Sequence, residues 1–408
     1  MTIDPEVITS AAHRKWLTEQ RRALAAFATG SRVPGGFAWL DAAGAPQPGQ
    51  PVATWITCRM THVFGLADGL AEMPAPGVSA ADLIDHGIAA LTTGPLRDTA
   101  NGGWFTNTED TVKDGYAHAF VVLAGAGAAA AGRPGGADLL AEALAVVDRR
   151  FWDEDAGLAR ETWDAAWTST EDYRGANSNM HLVEAYLAAG DVTGDRMLHE
   201  RALRIAYRMV HEFAAAHDWR LPEHYAADWT VDLEYNRDRP DHPFRPYGGT
   251  VGHWLEWARL LLHLDAVLGA DAPAWLLADA RALFDSAVRR GWEADGHAGF
   301  VYTLDWRDRP VVDARMHWVI CEAVLAAWAL HARTGEAQYA DWYSRFWAYA
   351  REHHIDAELG GWRHELTPDG RPAASTWAGK PDTYHAYQAV LMPMLPLTPA
   401  PAVAVRQR

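Results

Sequence analysis

The strongest constraint in this chain is a repeat. A helical stretch, a glycine-aromatic loop and a second, more apolar helical stretch recur six times over 408 residues. The loops resemble one another: Gly35-Gly36-Phe37, Gly102-Gly103-Trp104, Gly157-Leu158, Gly299-Phe300 and Gly360-Gly361-Trp362. Two flanks match as well, FWDEDAGL from Phe151 and GWEADGHAGF from Gly291. A unit of roughly 55 to 80 residues with two amphipathic helices cannot bury its own apolar faces, so neighbours must stack. Six such hairpins predict an all-α fold, an (α/α)6 barrel in which they close into a toroid, one domain over residues 1–408. An open superhelix is the alternative. The more apolar second helix of each pair is expected in an inner ring, and the Arg-, Glu- and Asp-richer first helix outside it.

Apolar periodicity predicts helices over residues 5–28, 54–70, 79–92, 116–131, 137–152, 176–189 and 195–216. A long loop, 218–249, leads into the most apolar stretch, RPYGGTVGHWLEWARLLLHL over 245–264. Helices over 272–292, 313–333, 336–354 and 382–395 follow, and no set of alternating strands appears. In the 245–264 stretch, His253 and Glu256 lie three residues apart and share a helix face. A His and a Glu on a helix apolar nearly all round need either hydrogen-bond partners or a chemical role.

Composition narrows the function classes. A formal charge of -17 argues against nucleic acid and anionic membrane surfaces as partners. Two cysteines, Cys58 and Cys321, make neither a disulfide framework nor a zinc site and fit a reduced, cytoplasmic setting. The N-terminal MTIDPEVITSAAHRKWL has no signal-peptide core, and the weakly polar run 117–131 is too short to span a bilayer. Twenty tryptophans, many beside polar residues, suit flat sugar-facing surfaces as well as plain packing.

Each expected inner helix carries a histidine: His62, His118, His181, His253, His317 and His385, at intervals of 56, 63, 72, 64 and 68 residues that track the repeat. Polar residues accompany them at helical spacing: Arg59 before His62, Asp114 before His118, and Glu184, Glu256 and Gln388 three after His181, His253 and His385. In a closed toroid the starts of the inner helices converge on one end of a central cavity, which is where a function is expected. Glu256, Glu184, Asp114 and Asp382 are candidate carboxylates for glycoside hydrolysis, but no loop context singles out an acid and a base. No HExxH, no G-x-S-x-G elbow and no phosphate loop is present, so no metal and no cofactor is expected. Proton transfer by neutral imidazoles remains.

Six segments together resemble the N-acylglucosamine 2-epimerase superfamily, in its bacterial aldose–ketose isomerase branch of mannose and sulfoquinovose isomerases. They are TWITCRMTHVFGLA (54–67), KDGYAHAF (113–120), NSNMHLVEAYLA (177–188), RPYGGTVGHWLEWARLL (245–261), ARMHWVICEA (314–323) and GKPDTYHAYQA (379–389). The resemblance spans nearly the whole chain and implies the same (α/α)6 barrel. It implies that His253 and His385 are the acid/base pair and that His181 is a third cavity histidine supporting the sugar. It matches Arg59, Tyr116, Asn177 and Glu256 to substrate-contacting positions and adds Trp55, Trp318 and Trp377 as stacking walls.

The implied chemistry interconverts D-mannose and D-fructose, with D-lyxose as a second substrate. The sugar ring opens, a neutral histidine removes the C2 proton, and the cis-enediol(ate) is reprotonated at C1. Arg59 or His181 can supply donors to the developing oxyanion, and Glu256 can orient His253. Return of the proton to C2 from the opposite face would instead make the chain a 2-epimerase. A sulfonated sugar would need a cationic site, for which Arg237, Arg239 and Arg245 of the 218–249 loop are the candidates. A glycosidase and a non-catalytic sugar binder rank behind both, and the oligomeric state is not legible.

Overall fold

The structure, a computed structural model, describes residues 8–408. Six inner helices form a ring: α2 (Thr54–Gly69), α4 (Gly115–Ala130), α6 (Ala176–Thr193), α8 (Val251–Leu268), α10 (His317–Thr334) and α12 (Tyr384–Leu391). Each packs on the next, and α12 returns to α2. The outer helices are α1 (Ala11–Ala28), α3 (Ala80–Thr92), α5 (Gly136–Val146), α7 (Arg196–Ala206), α9 (Trp275–Gly291) and α11 (Ala337–Tyr349). Each outer helix after the first packs on the inner helix before it, and α1 packs on α12, so the chain's first helix completes its last hairpin. The ring is closed and the fold is the (α/α)6 barrel; the open superhelix is excluded.

Burial explains the two rings. Every residue from Val251 to Asp265 of α8 is buried, as expected of a helix apolar all round. On α7 only Leu198, Ala202, Ile205 and Ala206 are buried, a single stripe at spacings of four, three and one. Small residues let helices approach both between the rings and within the inner one. A Cβ on Gly125 of α4 would come 2.9 Å from the Leu140 backbone of α5. Gly65 of α2 faces Gly127 of α4. Three outer helices run on into wider π-type turns, at 147–151, 207–214 and 350–354, which accounts for the longer stretches expected there. The part of the first expected helix before residue 8 lies outside the described residues. Among the described residues no helix is long and apolar enough to cross a membrane.

The loops place the functional end of the barrel. In 98–104 the Asp98 carboxylate accepts from the amides of Ala100 and Asn101, while Asp98 and Gly103 close the turn through their backbones. Gly102 and Gly103 have φ of 79° and 77°, which an L side chain rarely adopts. The loop 356–362 repeats the arrangement with Asp356, Gly360 and Gly361. Lys113, just ahead of α4, donates to Asp98 at 2.6 Å, and Lys380, just ahead of α12, donates to Asp356 at 2.8 Å. Each buried ammonium thus fastens the start of an inner helix to a glycine turn. Two- and three-residue strand pairs do the same elsewhere: Tyr173–Gly175 with His224–Ala226, Gly249–Thr250 with Thr303–Leu304, and Arg315–Met316 with Glu365–Leu366. Sequence periodicity could not show these strands, because two residues carry no alternation.

Candidate active site

The chamber at this end of the ring is lined by all ten residues expected of a sugar site: Trp55, Arg59, Tyr116, Asn177, His181, His253, Glu256, Trp318, Trp377 and His385. Their contacts divide the lining into a pair of glutamate-held histidines, a cationic wall and a charged floor.

His253, in the first turn of α8, holds Nδ1 2.9 Å from Glu223 Oε2, and His385, in the first turn of α12, holds Nδ1 2.9 Å from Glu322 Oε1. A carboxylate at Nδ1 fixes the tautomer with the proton there and leaves Nε2 as the free base. Trp318 lies against both rings, 5.1 Å from His253 and 5.8 Å from His385 between centroids. Burial holds His385 below the ordinary imidazole range, partly countered by Glu322. Glu322 is held low despite its own burial, because Arg259 at 2.8 Å and the His385 bond favour its charged form. The partner of His253 differs from expectation. Glu256 does not orient it; Glu223 does, from the 218–249 loop, where the Gly175–His224 pairing and the Ala176 amide to Glu223 carbonyl bond hold it beside α6. Nothing at helical spacing marks Glu223 in the sequence, since it is thirty residues from its partner.

Arg59 forms the cationic wall. It donates to Asp382 at 3.1 Å and to the Tyr116 hydroxyl at 2.9 Å, and its Nη2 lies 3.4 Å from His385 Nε2. His364 joins the lining, with Nε2 3.0 Å from the Asp382 carbonyl and its ring stacked on His317 at 3.6 Å. His364 lies on no inner helix, so the repeat did not flag it. Phe244 crosses the mouth, touching Trp55, Tyr116 and Trp377.

Beneath the chamber lies a charged floor. Arg259 is buried between Glu322 at 2.8 Å, Glu256 at 3.5 Å and Glu184 at 3.9 Å. Burial, and then the Glu322 charge, push the Glu256 carboxyl well above its ordinary range. Glu184 supports His181, Nδ1 to Oε2 at 3.4 Å, and accepts from the Tyr384 hydroxyl and from Gln388. Ligand atoms of His181, Glu184 and Glu256, and of Glu256, Glu322 and His385, lie close enough to hold a metal ion, and the guanidinium of Arg259 sits among the same carboxylates.

Two histidines of the repeat series lie elsewhere, against the expected convergence of all six. His62 is in the middle of α2 and lines a cavity on the far side of the floor, with His263 and Gln388. His118 packs among Trp104, Phe151 and Trp167, with its Nδ1 2.7 Å from the Asp114 carbonyl. Asp114 faces an outer groove that adjoins the chamber along Trp55, Tyr116, Asn177 and Phe244. Cys58 and Cys321 are buried and unpaired.

Burial lowers His62, His181, His263 and His354 to about 4, and His118 and His364 to about 3. Unfolded imidazoles titrate near 6.5, so below that pH the unfolded state binds protons that the folded state does not. Stability therefore rises with pH up to about 6.5 and is lost as pH falls toward 4. Thermal melts at about pH 8, 7, 6 and 5 should show little change above 6.5 and a progressive drop in Tm below it. A flat profile would contradict the neutral burial of these rings.

A family model described as N-acylglucosamine 2-epimerase (GlcNAc 2-epimerase) matches residues 35–389. A D-mannose isomerase of Thermobifida fusca is 56% identical over 405 residues, covering 97% of each chain. One of Pseudomonas cannabina pv. alisalensis is 48% identical, covering 98% of this chain and 96% of its own. A crystal structure of a D-mannose isomerase superposes with a TM-score of 0.84 at 26% identity, covering 93% of this chain and 97% of its own. With the ring closed and two glutamate-held imidazoles facing one chamber, the chain belongs to the N-acylglucosamine 2-epimerase family and is a sugar isomerase or epimerase.

Proposed function

We propose that this protein is a metal-independent aldose–ketose isomerase that interconverts D-mannose and D-fructose, with D-lyxose as a second substrate. The observation that carries the reading is the pair His253 and His385, each with Nδ1 on its own glutamate and each with its ring against Trp318. The relatives named D-mannose isomerase support the choice of sugar.

The sugar binds in the chamber and its ring opens, leaving an aldehyde at C1. One imidazole takes the C2 proton on Nε2 as the C2–C1 bond gains double-bond character and the C1 oxygen gathers the electron pair. Arg59 and Tyr116 are the donors beside that oxygen, and a preorganised donor strengthens as the charge develops. The second imidazole moves the hydroxyl protons, and return of the first proton to C1 yields the ketose. Each glutamate stabilises the imidazolium that forms transiently, so neither histidine needs a metal to act as acid and base.

Neutral sugars are favoured over sulfonated ones because two of the three loop cations are committed to carboxylates and the third, Arg239, is exposed and outside the chamber lining. Arg245 is clamped by both oxygens of Glu171, at 2.7 and 3.1 Å, over the ring of Tyr173, and Arg237 pairs with Glu234. Among the described residues Arg59 is the only Lys or Arg lining the chamber, and Asp382 already balances it. The test is turnover by EDTA-treated protein on four substrates: D-mannose, D-glucose, D-lyxose and sulfoquinovose. Ketose from mannose and lyxose, undiminished by the chelator, is the expected outcome. Glucose as the main product from mannose would assign the chain to 2-epimerisation instead, and faster turnover of sulfoquinovose would overturn the neutral-sugar reading.

A further inference from the structure

We propose that Glu365 is the positioning residue for the substrate chamber, holding Trp377 in place as one wall while fixing the strand that delivers the other. This rests on the reading of the chamber as a sugar site. Glu365 is only 1% exposed, yet among the described residues no Lys, Arg or His lies within hydrogen-bond or ion-pair distance of its carboxylate. A buried carboxylate needs compensation. All of it comes from one short loop: Oε1 accepts from the Ser375 amide at 3.0 Å and from the Ser375 hydroxyl, and Oε2 accepts from the amides of Thr376 at 2.8 Å and Trp377 at 2.9 Å. Four donors on one carboxylate leave the loop one position. The backbone of Glu365 pairs with Met316, so the same residue sets the register of the strand that enters α10 at His317 and Trp318.

The consequence is a linked pair of walls. Trp377 is half-buried, and its remaining contacts are the edge of Phe244 at 5.1 Å and Trp39 at 5.6 Å, while Trp39 Nε1 donates to the Ala378 carbonyl. Those aromatic contacts bound the indole but, apart from the Trp39 bond to the Ala378 carbonyl, do not fix the backbone that carries it. Glu365 does, at a distance from the reacting atoms, so it acts on binding rather than on proton transfer.

The test is a double-mutant cycle read as KM and kcat with D-mannose. Glu365→Gln keeps the shape of the side chain but puts an amide where Oε1 or Oε2 accepts. It should raise KM about ten-fold with kcat within about three-fold. Trp377→Ala should raise KM at least as much, and adding Glu365→Gln to it should raise KM no further. Should Glu365→Gln fail to fold, Ser375→Ala, which removes one of the four donors, carries the test with a KM increase of about two- to three-fold. Hydrogen exchange of the 373–379 amides, read without any substrate, should be faster in either variant, which separates failure of this inference from failure of the sugar-isomerase reading. An unchanged KM, a second full increase in the double variant, or unchanged exchange in 373–379 would overturn the proposal.

Discussion

His253→Asn and His385→Asn are each expected to lower kcat by about 10²–10⁴-fold, the range typical for removal of a positioned acid or base. KM for D-mannose should shift far less, because neither substitution empties the chamber of Trp318, Trp377 or Arg59. The double variant should be little worse than the poorer single one, since the two imidazoles act on one proton inventory and their effects are not additive. Glu223→Gln supplies the control for His253: it leaves the ring in place but removes the charge at Nδ1, 2.9 Å away, so kcat should fall while KM holds. Steady-state kinetics on all four proteins checks this. A non-catalytic sugar binder would show unchanged binding and no turnover to lose. A glycosidase would be insensitive at His385.

Arg259→Met should be the most damaging single change to the fold. The guanidinium is fully buried and is the cation shared by Glu322, Glu256 and Glu184. Removing one partner of a buried ion cluster leaves uncompensated charge, at a cost of about 3–5 kcal/mol. In a protein of this size that corresponds to a fall in Tm of about 5 °C. The second substitution identifies the charge responsible. Glu256 is held toward its neutral form, so adding Glu256→Gln should recover little, whereas Glu322→Gln, which removes the charge Arg259 offsets most directly, should recover most of the loss. Equal recovery by both would contradict this division of charge. Arg259→Met should also cut turnover, because Glu322 without Arg259 is a poorer partner for His385.

Much of this was legible in the sequence, for physical reasons. Helices apolar all round and helices with one stripe read differently, which separated α8 from α7 before any coordinates. The glycine-aromatic turns were visible because glycine is the residue that adopts the positive φ of Gly102 and Gly103 without steric cost. The lining residues on inner helices, from Arg59 to His385, were found through the family segments. What was missed came from outside those helices. Glu365 opens a two-residue strand, Glu223 and His364 each lie one residue ahead of such a short strand whose pairing is set by tertiary contacts, and Glu322 lies sixty-three residues from the histidine it holds. The shared helix face of His253 and Glu256 suggested a pair that the fold does not make, because Arg259 and a closer glutamate compete for both. The histidine repeat was real in sequence but not in direction: His62 falls half a helix too late to reach the chamber.

The proposed reaction is the transfer of one proton from C2 to C1 within this chamber. The most direct test is to incubate the chelator-treated protein with D-mannose in D2O and follow the sugars by NMR. D-fructose should accumulate with deuterium only at C1, at a level that reports how far the imidazole proton exchanges with solvent, and glucose should stay minor. Glucose deuterated at C2 as the main product, or no conversion of mannose, would contradict this reaction.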